Sequence, residues 1–180
     1  MLPPAAGGAG PLCAGLVEAA PAVRRFLFGL CGDWHHSEDL AQEAMLSAWQ
    51  KRDSFDGRAC LQTWVFAIAR NAWLTSLRRR SRRPGEQPLA ELGRTDPSDP
   101  SGTPADSAAR AELTDAVAAA LGHLPDEQRE VLALCHNAGL TFARAAAVLG
   151  VPVGTVKGRA RLALLKLARE LEPFRQELEP

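Results

Sequence analysis

The chain has 180 residues, 21 basic and 21 acidic side chains, and a hydrophobic fraction of 46%. This length fits one medium domain or two small ones, and zero net charge gives no whole-molecule attraction to nucleic acid or to an anionic membrane. No apolar run approaches the roughly 18–20 residues of a membrane-spanning helix, and the first residues lack the basic stretch of a secretory signal. We therefore expect a cytoplasmic protein without membrane insertion.

Charge is distributed unevenly along the chain. Residues 1–83 contain eleven basic and seven acidic residues, whereas residues 84–113 contain two and six. The acidic part lies in a stretch rich in Pro, Gly, Ser and Thr, which is typical of a flexible linker. The sequence thus predicts two domains. The chain divides into a disordered arm over 1–11, a first domain over 12–83, a linker over 84–107, a second domain over 108–172 and a tail over 173–180.

Apolar residues recur at helical spacing in both predicted domains. A first helix starts at Leu12 and ends at Cys31-Gly32-Asp33, and Pro21 either kinks it or marks its proper start. We expect Ser37 to cap a second helix that reaches about Lys51. The other predicted helices cover residues 59–80, 108–122, 125–137, 141–149 and 152–171. No segment alternates like a strand, so the fold class is all-α, with two small helical domains joined by a flexible linker.

The last two predicted helices are separated by a turn containing Gly150, which is the pattern of a helix-turn-helix. Such a motif lays its second helix in the major groove of DNA. An ordinary helical hairpin with solvated charges is the alternative. On the DNA-binding interpretation, Val153, Val156 and Ala160 turn inward, and the side facing DNA carries Gly154, Thr155, Lys157, Gly158, Arg159 and Arg161.

The predicted third helix ends in a cluster of arginines. Six of them fall within the acid-free stretch 70–83, which suits binding to phosphates better than a solvated face of mixed charge. Aromatic residues on the same helix can stack on unpaired bases, although most helix aromatics are core residues. We expect Trp64 in the core and leave Phe66 and Trp73 open between the two roles.

The predicted second helix carries a polar stripe made of Asp39, Gln42, Glu43, Leu46 and Gln50. A polar face is usually only solvated, but a leucine among acids also suits docking on a basic partner helix. The opposite, buried stripe is predicted to contain Ala41, Ala44, Met45, Ala48 and Trp49.

These features, in this order, resemble the extracytoplasmic-function (ECF) subgroup of the sigma-70 family of RNA polymerase sigma factors. Residues 38–43 with Ala48-Trp49 are similar to the signature helix of these proteins, and residues 64–71 with the arginine cluster are similar to their promoter-melting helix. Residues 124–131 and 154–157 resemble their C-terminal domain. The resemblance covers about residues 12–83 and 108–171.

The resemblance implies an alternative sigma factor that binds core RNA polymerase and directs it to promoters. It implies polymerase contacts by Asp39, Gln42, Glu43 and Leu46. It also implies capture of a flipped base of the −10 element by residues of the 55–62 loop and of the third helix, Asn71 among them. The candidate DNA-binding residues on the −10 side are Asp56, Arg58, Phe66, Arg70, Asn71, Arg78, Arg79 and Arg80. The −35 element would be read by Thr155, Lys157, Gly158, Arg159 and Arg161.

The chain departs from the family pattern in its last predicted helix. Pro152 stands where a serine cap is usual, and Gly158 stands where a polar residue is common. Leu162, Leu164 and Leu165 replace more basic residues. An apolar surface at this place suggests a covering partner, and for this family that partner would be an anti-sigma factor.

Two other function classes fit parts of the sequence. A dimeric helix-turn-helix regulator would bind duplex DNA without polymerase, but the second-helix stripe and the arginine cluster argue against it. A zinc or redox sensor would use Cys31, His35 and His36 with Cys135-His136, a poor ligand spacing. No nucleophile, phosphate-loop or paired-acid motif is present, so we expect no enzyme, no cofactor and no metal site.

Overall fold

The computed structural model describes residues 9–82 and 104–174, and every regular element within these ranges is helical. Most of the predicted arm and linker and the last residues of the predicted tail lie outside the described residues. Within the described ranges, no helix combines the length and the apolar character needed to cross a membrane.

The N-terminal unit, residues 9–82, contains three long helices. They are α1 (Ala9–Cys31), α2 (Trp34–Gln50) and α3 (Leu61–Ser81), with a short 3-10 turn over Arg52–Ser54. Helix α1 begins three residues before the predicted start and continues through Pro21 instead of starting there. The three helices pack around a core that includes Val23, Phe26, Leu27, Leu30, Leu40, Ala44, Val65, Phe66 and Ala69.

The prediction that Ser37 caps α2 is wrong. The cap is Asp33, whose carboxylate accepts a hydrogen bond of 2.6 Å from the backbone N–H of His36. Gly32 adopts a φ of 65° and ends α1 one residue earlier, which leaves Asp33 extended at the cap position. Ser37 therefore lies inside the helix, where its buried hydroxyl donates to the Trp34 carbonyl at 2.7 Å.

The C-terminal unit, residues 104–174, contains four helices. They are α4 (Pro104–Gly122), α5 (Asp126–Leu132), α6 (Phe142–Leu149) and α7 (Val153–Glu170), and a π-helical turn over Ala133–Asn137 extends α5. Arg129 is buried and fastens α5 to the end of α4, because its guanidinium donates to the carbonyls of Leu121, Gly122 and Leu124 at 2.8–3.0 Å. These donor–acceptor pairs satisfy carbonyls that a helix end leaves free.

The two units pack directly against each other. Helices α1 and α3 contact the π turn and α6, and apolar residues of both units form one continuous core. Across this boundary, Arg70 pairs with Glu130, and Arg144 donates to the Gln62 side-chain oxygen at 2.6 Å. Helix α3 of the N-terminal unit therefore lies against α6 of the C-terminal unit.

Candidate nucleic-acid interface

The polar stripe of α2 is exposed as predicted from its spacing. Asp39, Gln42 and Glu43 face solvent, and Leu46 is 58% exposed. The opposite face, with Leu40, Ala41, Ala44 and Ala48, is buried against α1 and α3. An amphipathic helix thus presents its acidic side outward.

Trp49 was predicted to be buried, but it is 43% exposed. It follows Leu46 by three residues, so it lies beside the exposed stripe and not opposite it. The Arg52 guanidinium stacks on its ring at 4.7 Å from the centroid. The stacking of Arg52 on Trp49 was not predicted from the sequence. The three-residue spacing between Leu46 and Trp49 could have predicted that Trp49 is exposed.

Phe66 was a candidate DNA contact, but the structure places it in the core. The side chain has no exposed area, and its ring meets Phe26 edge-on with centroids 5.5 Å apart. Ala69 and Trp73 share this face of α3 at positions i+3 and i+7, and both are buried. The ring therefore cannot contact DNA in this structure. Trp64 is half-buried and packs on Phe55.

The other candidate residues of the −10 side belong to two segments, the loop before α3 and α3 itself. Asp56 and Arg58 lie on the exposed loop before α3 and pair with each other at 3.2 Å. Asn71, Arg78 and Arg79 are exposed on α3 itself, and Arg80 is half-buried. Arg70 is partly covered, because its guanidinium is paired with Glu130.

The arginine end of α3 adjoins the acidic stripe of α2. Arg79 lies 3.9 Å from the Glu43 carboxylate, and Arg80 lines the same groove as Asp39 and Glu43. An anionic surface and a cationic surface thus meet along one edge of the N-terminal unit. This arrangement can contact two partners of opposite charge side by side.

Helices α6 and α7 form the predicted helix-turn-helix. Thr141 caps α6, and Gly150 makes the turn with a φ of 69° that other residues rarely adopt. Thr155, Lys157, Gly158 and Arg161 are exposed on α7. Pro152 precedes the helix and supplies no side-chain cap.

Three details of α7 refine the predicted recognition face. Val156 and Ala160 are buried as predicted, but Val153 is 39% exposed, because it opens the helix before the turn that packs on α6. Arg159 is half-buried and pairs with Glu127 of α5 at 2.7 Å. Added methyl groups at Gly154 and Gly158 would meet no protein atom within 4 Å.

Comparisons with known proteins match both units. The Sigma-70 region 2 family matches residues 16–83, and the Sigma-70 region 4 family matches residues 114–167. The ECF RNA polymerase sigma factor EcfG of Rhodopseudomonas palustris is 36% identical over 153 residues, which are 85% of this chain and 81% of the relative. The ECF sigma factor RpoE of Cereibacter sphaeroides is 33% identical, with 84% and 81% covered. The chain belongs to the ECF subgroup of the sigma-70 family.

A solved structure agrees with this sigma-factor assignment. The sigma factor RpoE of Bartonella quintana, in complex with the anti-sigma factor NepR, superposes with a TM-score of 0.72 and 28% identity, covering 90% of this chain and 97% of that one. The family consists of transcription initiation factors, and its ECF members are alternative sigma factors. The comparisons do not favour the interpretation as an independent helix-turn-helix regulator.

An apolar groove lies on the C-terminal helix of this sigma factor. Phe142, Leu164 and Leu165 line it between Lys157 and Arg161. Leu162, Leu164 and Leu165, where the sequence predicts an apolar surface, are 46–56% exposed. An exposed apolar patch with a basic rim is typical of a surface that another chain covers.

The sensor hypothesis requires a cluster of cysteine and histidine ligands. Across the described part of the chain, no three His, Cys, Asp or Glu side chains gather where they could hold a metal ion. Burial raises the pKa of the Cys31 thiol to about 11, so this sulfur stays protonated and unreactive at neutral pH.

His36 lies in the groove between α2 and α3 and makes stability depend on pH. Its Nε2 is buried without a hydrogen-bond partner. Burial lowers the pKa of His36 below its ordinary value of 6.5 and Arg80 lowers it further, while Asp33 and Asp39 oppose the shift. The unfolded chain therefore binds a proton on His36 more readily than the folded chain does. The contribution of neutral His36 to folding stability is complete above pH 6.5 and declines as the pH falls below that value.

We expect His36→Gln to weaken this pH dependence. Urea unfolding between about pH 5.5 and 7.5 should show the wild-type free energy of unfolding falling toward acid, with a shallower fall in the variant. His35→Gln is the matched control, because His35 is exposed. Equal slopes for both variants would contradict the assignment of the proton to His36.

Proposed function

We propose that this sigma factor binds core RNA polymerase through α2 and promoter DNA through α3 and α7, and so selects the sites at which transcription starts. The observation that carries the proposal is the edge where the acidic stripe of α2 meets the arginine end of α3. Asp39, Gln42, Glu43 and Leu46 would contact the polymerase clamp. Leu46 supplies apolar area among charges that steer the encounter.

The surface of α3 would act on the −10 element. Arg78, Arg79 and Arg80 would neutralise phosphates, while Asn71 and the loop carrying Asp56 and Arg58 would hold an extruded base. Binding of the extruded base shifts the equilibrium of the duplex toward the melted state. The shift equals the free energy by which the pocket prefers the extruded base to the paired one. Melting thus needs no catalytic group of the sigma factor.

The exposed face of α7 would read the −35 element. Thr155 and Lys157 lie in its first turns, where a recognition helix approaches base edges. Arg161 is placed to contact phosphate, and Gly158 allows the backbone to come close. Arg159 would have to leave Glu127 to reach DNA.

The two units would have separate roles. A first domain over 12–83 would serve polymerase and the −10 element, and a second over 108–172 would serve the −35 element. The sigma factor itself would perform no chemistry, because polymerase supplies it. Both partners are in the cytoplasm, so the protein would act there.

An anti-sigma factor is the third partner of the proposal. The groove of Phe142, Leu164 and Leu165 offers apolar area with cationic neighbours, which suits an amphipathic segment with acidic flanks. The structurally similar RpoE of Bartonella quintana is bound to the anti-sigma factor NepR. Such a partner would keep the sigma factor from polymerase until a signal releases it.

The proposal is tested by mixing the purified chain with bacterial core RNA polymerase. We expect co-elution on a sizing column and transcripts that start at discrete sites on genomic DNA. Core polymerase alone is the control and should give no discrete starts. Tight binding of the free chain to duplex DNA, with no polymerase complex, would instead support the independent regulator.

A further inference from the structure

An acid of α5 holds one of the basic residues on the proposed recognition helix. The Arg159 Nη2 lies 2.7 Å from the Glu127 Oε2, which makes this a close ion pair. The Arg159 side chain is 23% exposed, whereas the Glu127 side chain is 69% exposed. Glu127 lies in the first turn of α5 and Arg159 lies on α7, so the pair links two helices that pack against each other.

The neighbouring basic residues of α7 differ from Arg159. Lys157 and Arg161 are exposed, and within residues 9–82 and 104–174 neither has an ion-pair partner. Arg159 follows the exposed Thr155 by four residues, so these two share one face of the helix. The DNA-facing side of α7 thus combines two solvated cations with one cation that an acid neutralises.

A neutralised arginine responds differently to different DNA sites. Every duplex presents phosphates, and an unpaired arginine binds them whatever the sequence. Arg159 has to leave Glu127 first, so a phosphate only replaces one anionic partner by another. A guanine edge presents two acceptors that a guanidinium contacts together, and this contact depends on the base. Glu127 is mostly exposed, so water can solvate its carboxylate when Arg159 leaves.

We propose that Glu127 is a positioning residue that keeps Arg159 from DNA phosphates and releases it to a guanine of the −35 element. Glu127 itself contacts no base. It weakens binding to arbitrary duplexes more than binding to the cognate duplex, and this difference raises sequence specificity. The inference rests on the proposed function, because it requires that α7 reads the −35 element.

Glu127 also stands where an acid stabilises the start of a helix, so its removal needs a matched control. Asp126 lies in the same turn, is 80% exposed and pairs with Arg129 at 3.5 Å. Asp126→Asn therefore removes the same charge from the same turn and leaves the pair of Glu127 and Arg159 in place. Arg129 keeps its three carbonyl acceptors in this variant.

The test compares wild type with Glu127→Gln, Arg159→Gln and both changes together, in the full chain. Fluorescence anisotropy measures binding to a duplex of random sequence and to the −35 duplex of a promoter that the wild-type holoenzyme uses. We expect Glu127→Gln to tighten binding to the random duplex by about tenfold and to steepen its salt dependence by about one phosphate contact. Binding to the −35 duplex should tighten by less than about threefold.

Two results separate positioning from a general effect of charge. Glu127→Gln should have no effect in the Arg159→Gln background, because there is then no arginine to release. Asp126→Asn should change both affinities equally. In the holoenzyme, replacing the −35 guanines one at a time should reduce transcription less for Glu127→Gln than for wild type.

Equal tightening on both duplexes by Glu127→Gln would overturn the inference, and so would the same gain in the Arg159→Gln background. A wild-type protein that shows no sequence preference, in binding or in transcription, would overturn the proposed function itself. A wild-type preference that Glu127→Gln leaves unchanged would overturn only the role of Glu127.

Discussion

Replacing Phe66 by alanine is expected to lower the free energy of unfolding by about 3–5 kcal/mol. The side chain is fully buried and meets Phe26 in a core that both units share. Its removal leaves a cavity that fixed helices cannot close. Guanidinium unfolding followed by tryptophan fluorescence measures the loss, since Trp73 lies on the same face of α3.

Phe142→Ala is the control for this experiment, because its ring is 41% exposed. Its effect on unfolding should be much smaller. A Phe66→Ala protein with wild-type stability and weakened promoter binding would contradict the core position and return Phe66 to the DNA surface. Phe66→Leu should retain most of the stability, since it preserves apolar volume.

Glu43→Lys should weaken binding to core polymerase by about 100-fold, because it reverses the charge of the α2 stripe against a basic partner. The folded state should be unaffected. Glu43 is exposed, and its ion pair with Arg79 is 3.9 Å long and open to solvent, so this pair adds little stability.

Titration of labelled core polymerase measures this loss, with thermal unfolding as the check on folding. Glu112→Lys makes the same charge reversal on α4, away from the stripe, and should bind normally. Equal affinities of the Glu43 and Glu112 variants would show that α2 is not the polymerase surface. Raising the salt concentration should reduce the difference in polymerase affinity between the Glu43 and Glu112 variants.

The helices themselves were predictable from local spacing. The ends of several helices were located to within a few residues by the hydrophobic periodicity and by Gly32 and Gly150. These signals are local, because they lie in consecutive residues. The choice of Asp33 over Ser37 as a cap was not predictable, since it depends on where the preceding helix stops. Both residues accept hydrogen bonds equally well.

The orientation of single side chains depended on tertiary packing. Phe66 is an aromatic residue on an amphipathic helix, and it is buried against Phe26 of α1. Which neighbour covers each face is decided by segments far away in the sequence. The pairing of Arg70 with Glu130 is of this kind, because no local pattern links residues that are sixty positions apart.

The two glycines on the exposed face of α7 bear on how this protein's promoter preference can change. A Cβ added at Gly154 or Gly158 would have no neighbouring side chain or other element within 4 Å, and alanine at an exposed helix position is more favourable than glycine. If α7 reads the −35 element as proposed, substitutions there would add new groups to the DNA-facing side without disturbing the core. A duplicated copy of the gene could therefore acquire a different set of target promoters through very few mutations, while keeping its fold and its polymerase.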